Sequence, residues 1–141
     1  MNGGNAELLK TTISNFAERR QADLWSGLGL AATYAGGATE EALVTLRQMS
    51  GPFQPQLAQG SAFAAKARVR AGNVVDYTHQ ATRVLCGLSV RDAAQLTDSC
   101  LEDLPPDTSE PAYEIWRRQI QSHFKHQPAD RPGTSRRLVC A

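Results

Sequence analysis

The sequence predicts an all-α fold of about six to seven short helices arranged in antiparallel pairs. Glycine and proline interrupt the chain at intervals of about 10 to 16 residues, a usual length for helices. The interruptions are Gly36-Gly37, Gly51-Pro52, Gly72-Asn73, Gly87 and Pro105-Pro106. Strands would show alternating apolar and polar residues, and the best candidate, Val74-Val75, is too short.

The first two helices are predicted from the spacing of their apolar residues. The first covers about residues 6–19 and the second about residues 22–35. Their apolar faces comprise Leu8, Leu9, Ile13 and Phe16 in the first helix, and Leu24, Trp25, Leu28, Ala31, Ala32 and Ala35 in the second. Gly36-Gly37 then supplies the backbone freedom that ends a helix.

The third to fifth helices have clearer boundaries. Thr39 is the predicted N-cap of the third helix, and two glutamates follow it, where carboxylates favour the positive end of the helix dipole. The fourth helix follows Pro55, ends at Ala71 and is rich in alanine, so a neighbouring helix can approach it closely. The fifth covers about residues 76–86.

The last two helices are amphipathic. Ser89 begins the sixth helix in a pattern resembling a capping box, with Asp92 in place of glutamate. The seventh begins near Ser109 and has the sharpest apolar stripe in the chain. That stripe contains Tyr113, Trp116, Ile120 and Phe124.

Length and charge predict one domain over residues 1–125 and a disordered basic tail over residues 126–141. Residues 92–114 contain seven acids and no lysine or arginine, so the basic tail either stays solvated, folds back on this stretch, or binds an acidic partner. The net charge of +1 does not resemble that of a nucleic-acid-binding protein.

The chain is also expected to stay out of membranes. No apolar run approaches the roughly 18 residues of a membrane span, and the N-terminus does not resemble a secretory signal. We therefore expect a cytoplasmic protein with reduced thiols. Cys86, Cys100 and Cys140 fit neither a zinc site nor a disulfide framework.

A weak internal similarity appears at an offset of 33 residues. The string SGLGLAA at 26–32 resembles QGSAFAA at 59–65. Paired-helix repeats of the tetratricopeptide type have this period, so such a repeat is an alternative that the sequence leaves open.

The motifs that usually carry chemistry are weak here. Gly27-x-Gly29 lacks the preceding strand and third glycine of a dinucleotide-binding loop. His123 and His126 have no third ligand at helical spacing, and Cys86 ends a helix, where the dipole disfavours a thiolate. We therefore predict no cofactor and no metal, and a binding protein rather than an enzyme.

Two groups of residues remain as candidates for binding a ligand or partner. The fourth and fifth helices contribute Arg68, Arg70 and His79, and the fourth also contains Lys66, which shares a face with Arg70. Solvation or pairing with an acid is the simpler role for these cations. The seventh helix contributes Tyr113, Trp116 and Arg117, a combination that docks onto its own domain or marks a partner interface.

Four strings in order along the chain resemble the DUF1702 family, found among conserved accessory proteins of enediyne polyketide gene clusters. They are RQADLWSGLGLAATYAGG at 20–37, PQLAQGSAFAAKARVRAG at 55–72, TRVLCG at 82–87 and PAYEIWR at 111–117. The resemblance extends from about Leu8 to Phe124.

This resemblance implies an accessory protein of bacterial secondary metabolism that binds a partner protein or a hydrophobic intermediate. The strings are similar to the C-terminal half of family members, which implies a homodimer, a separate N-terminal half or the polyketide synthase machinery as partner. Two alternatives remain: an enzyme or half-enzyme that uses Arg68, His79 or Tyr113 on a polyene intermediate, and a generic helical-repeat scaffold.

Overall fold

Seven α helices make up the part of the chain that the computed structural model describes, residues 2–102 and 112–125. They are α1 (Asn2–Ser14), α2 (Glu18–Ala35), α3 (Glu40–Ser50), α4 (Gln54–Ala71), α5 (Asp76–Cys86), α6 (Val90–Glu102) and α7 (Ala112–Lys125), with a 3-10 turn (Gly51–Phe53) before α4. These residues contain no strand. The predicted all-α fold is confirmed.

Three helix ends follow the predicted capping signals. The Thr39 hydroxyl accepts a hydrogen bond from the Ala42 amide at 3.1 Å. The Ser89 hydroxyl accepts one from the Asp92 amide at 3.0 Å. At its C-terminal end α4 reaches Gly72, which has a φ of 70°, a left-handed conformation that favours glycine. Local side chains therefore fix these boundaries.

Helix α4 lies at the centre of the fold. It packs against α2, α3, α5, α6 and α7, and most of its residues from Pro55 to Ala65 are buried. Its alanines allow this because a small side chain lets several neighbours approach the same helix. One core cluster joins α4 to α5, α6 and α7, and a second joins it to α1, α2, α3 and α5.

The closest helix contact is the crossing of α2 and α4. A Cβ atom on Gly29 would overlap the carbonyl oxygen of Leu57, and one on Gly60 would overlap that of Ser26. Each glycine therefore lets the other helix's backbone come into direct contact. The two helices run in the same direction, since Ser26 contacts Gln59 while Tyr34 contacts Arg68 further along both.

The internal similarity at an offset of 33 residues maps onto this crossing. Ser26 and Gln59 occupy equivalent positions in the two strings, and the Ser26 hydroxyl donates a hydrogen bond to Gln59 Oε1 at 2.6 Å. The two strings therefore pack against each other rather than lying apart. A tetratricopeptide-like arrangement stays a prediction.

Helix α1 is shorter at its C-terminal end than predicted. It ends at Ser14, so Phe16 lies beyond the helix and is 43% exposed. Leu8 is 67% exposed, whereas Ile13 is buried in the core. The apolar spacing of this segment was a poor guide because only Leu9 and Ile13 pack against the core.

The expectation of reduced thiols is wrong for one cysteine. Cys100 is disulfide-bonded, whereas Cys86 is a free and buried thiol. Sequence spacing cannot reveal such a bond, because it depends on how the helices are placed. Cys140, the predicted tail at residues 126–141 and the predicted start of the seventh helix near Ser109 lie outside the described residues.

Candidate functional site

Three of the six candidate residues come together on α7, and the other three do not join them. Tyr113 and Trp116 pack against Phe63, which projects from α4, and Arg117 lies against Tyr113; we call these four residues the α7 cluster. Arg68 contacts a separate pair of tyrosines. Arg70 and His79 are exposed on α4 and α5.

The aromatic rings of the α7 cluster pack edge to face or tilted. The ring centroids of Phe63 and Trp116 are 4.9 Å apart, and those of Phe63 and Tyr113 are 6.0 Å apart. The centroids of Tyr113 and Trp116 are 6.3 Å apart. Such contacts hold rings in fixed orientations. Tyr113 is nevertheless 54% exposed, so the cluster presents an aromatic surface to solvent.

Trp116 anchors the cluster to the neighbouring helix. Its indole Nε1 donates a hydrogen bond to the Thr97 carbonyl oxygen on α6 at 2.8 Å. The Thr97 hydroxyl bonds within its own helix, to the Ala94 carbonyl oxygen. Trp116 is therefore fixed at its polar end by α6 and along its ring by Phe63, which leaves Tyr113 as the exposed member of the cluster.

Arg117 lies beneath Tyr113 and is committed to the protein itself. Its guanidinium is 5.7 Å from the Tyr113 ring centroid and pairs with Glu114 at 3.1 Å and with Asp23 of α2 at 3.2 Å. Only 12% of the Arg117 side chain is exposed. Arg117 therefore positions α7 against α2, and its charge is already balanced by nearby carboxylates.

Sequence reasoning missed Gln59, the centre of the polar contacts under α7. Gln59 is 1% exposed, and its Oε1 accepts hydrogen bonds from Ser26 at 2.6 Å and from Gln121 Nε2 at 3.0 Å. The Arg117 Nε also approaches it at 3.5 Å. One signal in the sequence could have identified it: Gln59 is a polar residue within the alanine-rich α4, whose neighbouring residues are typical of a buried core.

Arg68 holds together the ends of three segments. Its Nη2 donates to the Tyr34 carbonyl oxygen and to the Tyr77 hydroxyl, both at 2.6 Å, and its Nη1 reaches the Asn73 carbonyl oxygen at 3.4 Å. The guanidinium carbon is 4.3 Å from the centroid of the Tyr34 ring. Arg68 thus caps the C-terminal end of α2 and ties it to α5.

Replacing Arg68 is therefore expected to destabilise the fold. Arg68→Met keeps much of the length of the side chain but removes both short hydrogen bonds, and we expect a loss of about 2 kcal/mol in the free energy of unfolding. The control is Arg70→Met, because Arg70 is exposed on the same helix. Urea unfolding followed by circular dichroism measures both. Equal effects would contradict this role of Arg68.

The remaining cation and thiol also have structural roles. Lys66 pairs with Asp98 of α6 at 2.7 Å, which confirms pairing with an acid for this lysine. The Cys86 thiol donates to the Ala58 carbonyl oxygen at 3.2 Å. Burial raises the pKa of the Cys86 thiol from its ordinary value of 9.0 to about 12, and the nearby Ser61 hydroxyl and Arg47 charge oppose this only in part. Cys86 is therefore protonated at neutral pH.

This raised pKa predicts a pH dependence of stability. The unfolded state loses the Cys86 proton above pH 9.0 while the folded state keeps it up to about pH 12. The free energy of unfolding should therefore fall with rising pH in this window, by at most about 1.4 kcal/mol per pH unit. The control is Cys86→Ala, in which all other groups titrate as in the natural chain. The difference in the free energy of unfolding between the two chains should therefore change with pH above 9.0. A difference that stays constant would contradict the prediction.

The described residues offer neither a metal site nor a membrane span. Among residues 2–102 and 112–125, no three or more His, Cys, Asp and Glu side chains are placed to hold a metal ion. Within the same residues, no helix combines the length and apolar character needed to cross a membrane.

Comparison with known proteins identifies the family. The family model described as a protein of unknown function, DUF1702, matches residues 1–124. No curated protein and no solved structure matches the chain. The match includes α1 to α6 and all of α7 except its last residue, and so contains both the α2–α4 crossing and the α7 cluster. The chain therefore belongs to the DUF1702 family.

Proposed function

We propose that this chain is an accessory protein of enediyne polyketide biosynthesis, and that it binds a partner protein through the α7 cluster. Membership of the DUF1702 family supports the proposal, because proteins resembling this family are found among the accessory proteins of enediyne polyketide gene clusters. The single structural observation that supports binding is the exposed Tyr113 ring, held on Phe63 and Trp116.

The composition of this surface favours a protein as the ligand. Tyrosine, which this surface exposes at Tyr113, is among the residues that most often dominate the energy of protein interfaces. Tyr113 is presented by rings already fixed through Trp116 and Phe63, so binding costs little side-chain entropy. The candidate partners are the polyketide synthase machinery, a separate N-terminal half and a second copy of this chain.

The enzyme alternative has less support. It would use Arg68, His79 or Tyr113 as a polar group on a polyene intermediate. Arg68 is instead bonded to Tyr34 and Tyr77, and His79 is exposed on α5, a helix that scarcely touches α7 within the described residues. We therefore propose binding rather than catalysis.

Deletion of the gene in its producer tests the biological role. We expect deletion to lower the enediyne titre, and the natural gene to restore it. Tyr113→Ala should fail to restore the titre, whereas Phe16→Ala should restore it, because Phe16 is a similarly exposed aromatic residue outside the α7 cluster. An unchanged titre after deletion would contradict the accessory role, and full restoration by Tyr113→Ala would contradict the binding surface.

Photo-crosslinking in the producer distinguishes the ligands. A photoreactive phenylalanine analogue placed at position 113 should form an adduct with a synthase component, a second copy of this chain or another protein, which mass spectrometry identifies. The same analogue at position 16 is the control. An adduct with a small apolar molecule at position 113 would instead support binding of a hydrophobic intermediate. Identical adducts at both positions would contradict a specific surface.

A further inference from the structure

Helices α2, α4 and α5 bury five polar side chains. They are Thr33 of α2, Ser61 of α4, and Thr78, Thr82 and Cys86 of α5; we call this set the polar seam. All five are buried. Thr33 and Ser61 share a hydrogen bond of 2.6 Å between their hydroxyls. Buried polar groups of this kind normally have hydrogen-bond partners, so each member of the seam should have one.

The three α5 residues face the same side of their helix. Positions 78, 82 and 86 are four residues apart, which places their side chains one above the other. Cys86 reaches across to the Ala58 carbonyl oxygen of α4. The Oγ1 atoms of Thr78 and Thr82 are also fully buried, yet neither has a hydrogen-bond partner in the protein.

Two threonines on other helices satisfy their hydroxyls within their own helices. The Thr12 hydroxyl donates to the Leu8 carbonyl oxygen at 2.8 Å, and the Thr45 hydroxyl donates to that of Glu41 at 2.9 Å. Thr78 and Thr82 do not make this usual bond to the turn before them. Their hydroxyls therefore need a partner that their own helix does not supply.

We infer that one internal water molecule bridges the hydroxyls of Thr78 and Thr82. Side chains four residues apart on a helix have Cβ atoms about 5–6 Å apart. A water molecule about 2.8 Å from each oxygen spans such a gap. Internal waters bind buried polar groups that the protein leaves unsatisfied, and a domain of this size ordinarily holds a few of them. Thr78 and Thr82 therefore form an internal water site on the buried face of α5.

Valine substitutions test this inference, because valine keeps the shape of threonine and removes the hydroxyl. With a shared water, Thr78→Val and Thr82→Val should each lower the urea midpoint, since each leaves the water and the other hydroxyl with a lost bond. The double variant should be no less stable than the worse single variant. If the hydroxyls have no partner at all, each substitution should raise the midpoint and the effects should add. That result would overturn the inference.

Magnetic resonance gives a second readout that does not depend on stability. A long-lived internal water should give cross-relaxation signals to the amide protons of Thr78 and Thr82 in the natural chain, and these should vanish in the double variant. Thr12→Val is the control, because the Thr12 hydroxyl bonds to its own helix. It should leave the signals unchanged. Their absence in the natural chain would overturn the inference even if the substitutions were destabilising.

Discussion

Gly29→Ala and Gly60→Ala should each destabilise this chain severely, by about 3 kcal/mol or more in the free energy of unfolding. In each variant the new methyl group would overlap a backbone carbonyl oxygen, that of Leu57 or of Ser26, and neither oxygen can rotate away. Relief requires α2 and α4 to separate along the whole crossing, which weakens the packing of the central helix. Urea unfolding followed by circular dichroism measures the loss.

Gly27→Ala is the matched control for these variants. Gly27 lies in the same helix as Gly29 but is exposed, and a Cβ there would meet no atom within 4 Å. Alanine is the better helix former, so this variant should be more stable by up to about 1 kcal/mol. The same substitution at two positions only two residues apart should thus raise the free energy of unfolding at one and lower it at the other. If Gly27→Ala and Gly29→Ala had equal effects, the close crossing of α2 and α4 would be wrong.

Phe124→Ala should cost about 3–5 kcal/mol in the free energy of unfolding, the usual cost of truncating a buried phenylalanine. Phe124 is 1% exposed and packs in the core cluster that joins α4, α5, α6 and α7. The small alanines Ala58 and Ala62 line part of this cluster and have no flexible side chains with which to fill the cavity. The loss should therefore lie well above that of a surface substitution.

Tyr113→Ala is the comparison within the same helix. It removes ring contacts with Phe63 and Trp116, but the side chain is 54% exposed, so we expect a loss below about 1 kcal/mol. Thermal unfolding of the two variants under one condition measures the difference. A severe loss for Tyr113→Ala would show that this residue is structural. It would then be unsuitable for testing partner binding in the producer.

Local signals in the sequence predicted the helices well. Thr39 and Ser89 cap their helices as predicted, and α5 has the predicted bounds. These features depend on side chains within one turn of the helix end, so neighbouring residues suffice to specify them. The stripe on α7 was also real, although it divides into a core part at Phe124 and a surface part at Tyr113.

The candidate site was predicted only in part. Tyr113, Trp116 and Arg117 do meet, because helical spacing places them on neighbouring positions of α7. Their partner Phe63 and the underlying Gln59 belong to α4 and were not identified. Which helix packs against α7 depends on the whole arrangement of the fold, and one sequence contains no direct record of it.

The sequence by itself determined the helical character, several of the helix ends and membership of the DUF1702 family. Only the tertiary structure decided which residues do the close packing. Gly27 and Gly29 look equivalent in the sequence, yet only Gly29 faces a neighbouring backbone. Arg68 and Arg70 likewise differ only in what lies opposite them. The physical reason is that helix formation depends on contacts within a turn, whereas steric fit and burial depend on residues distant in the chain.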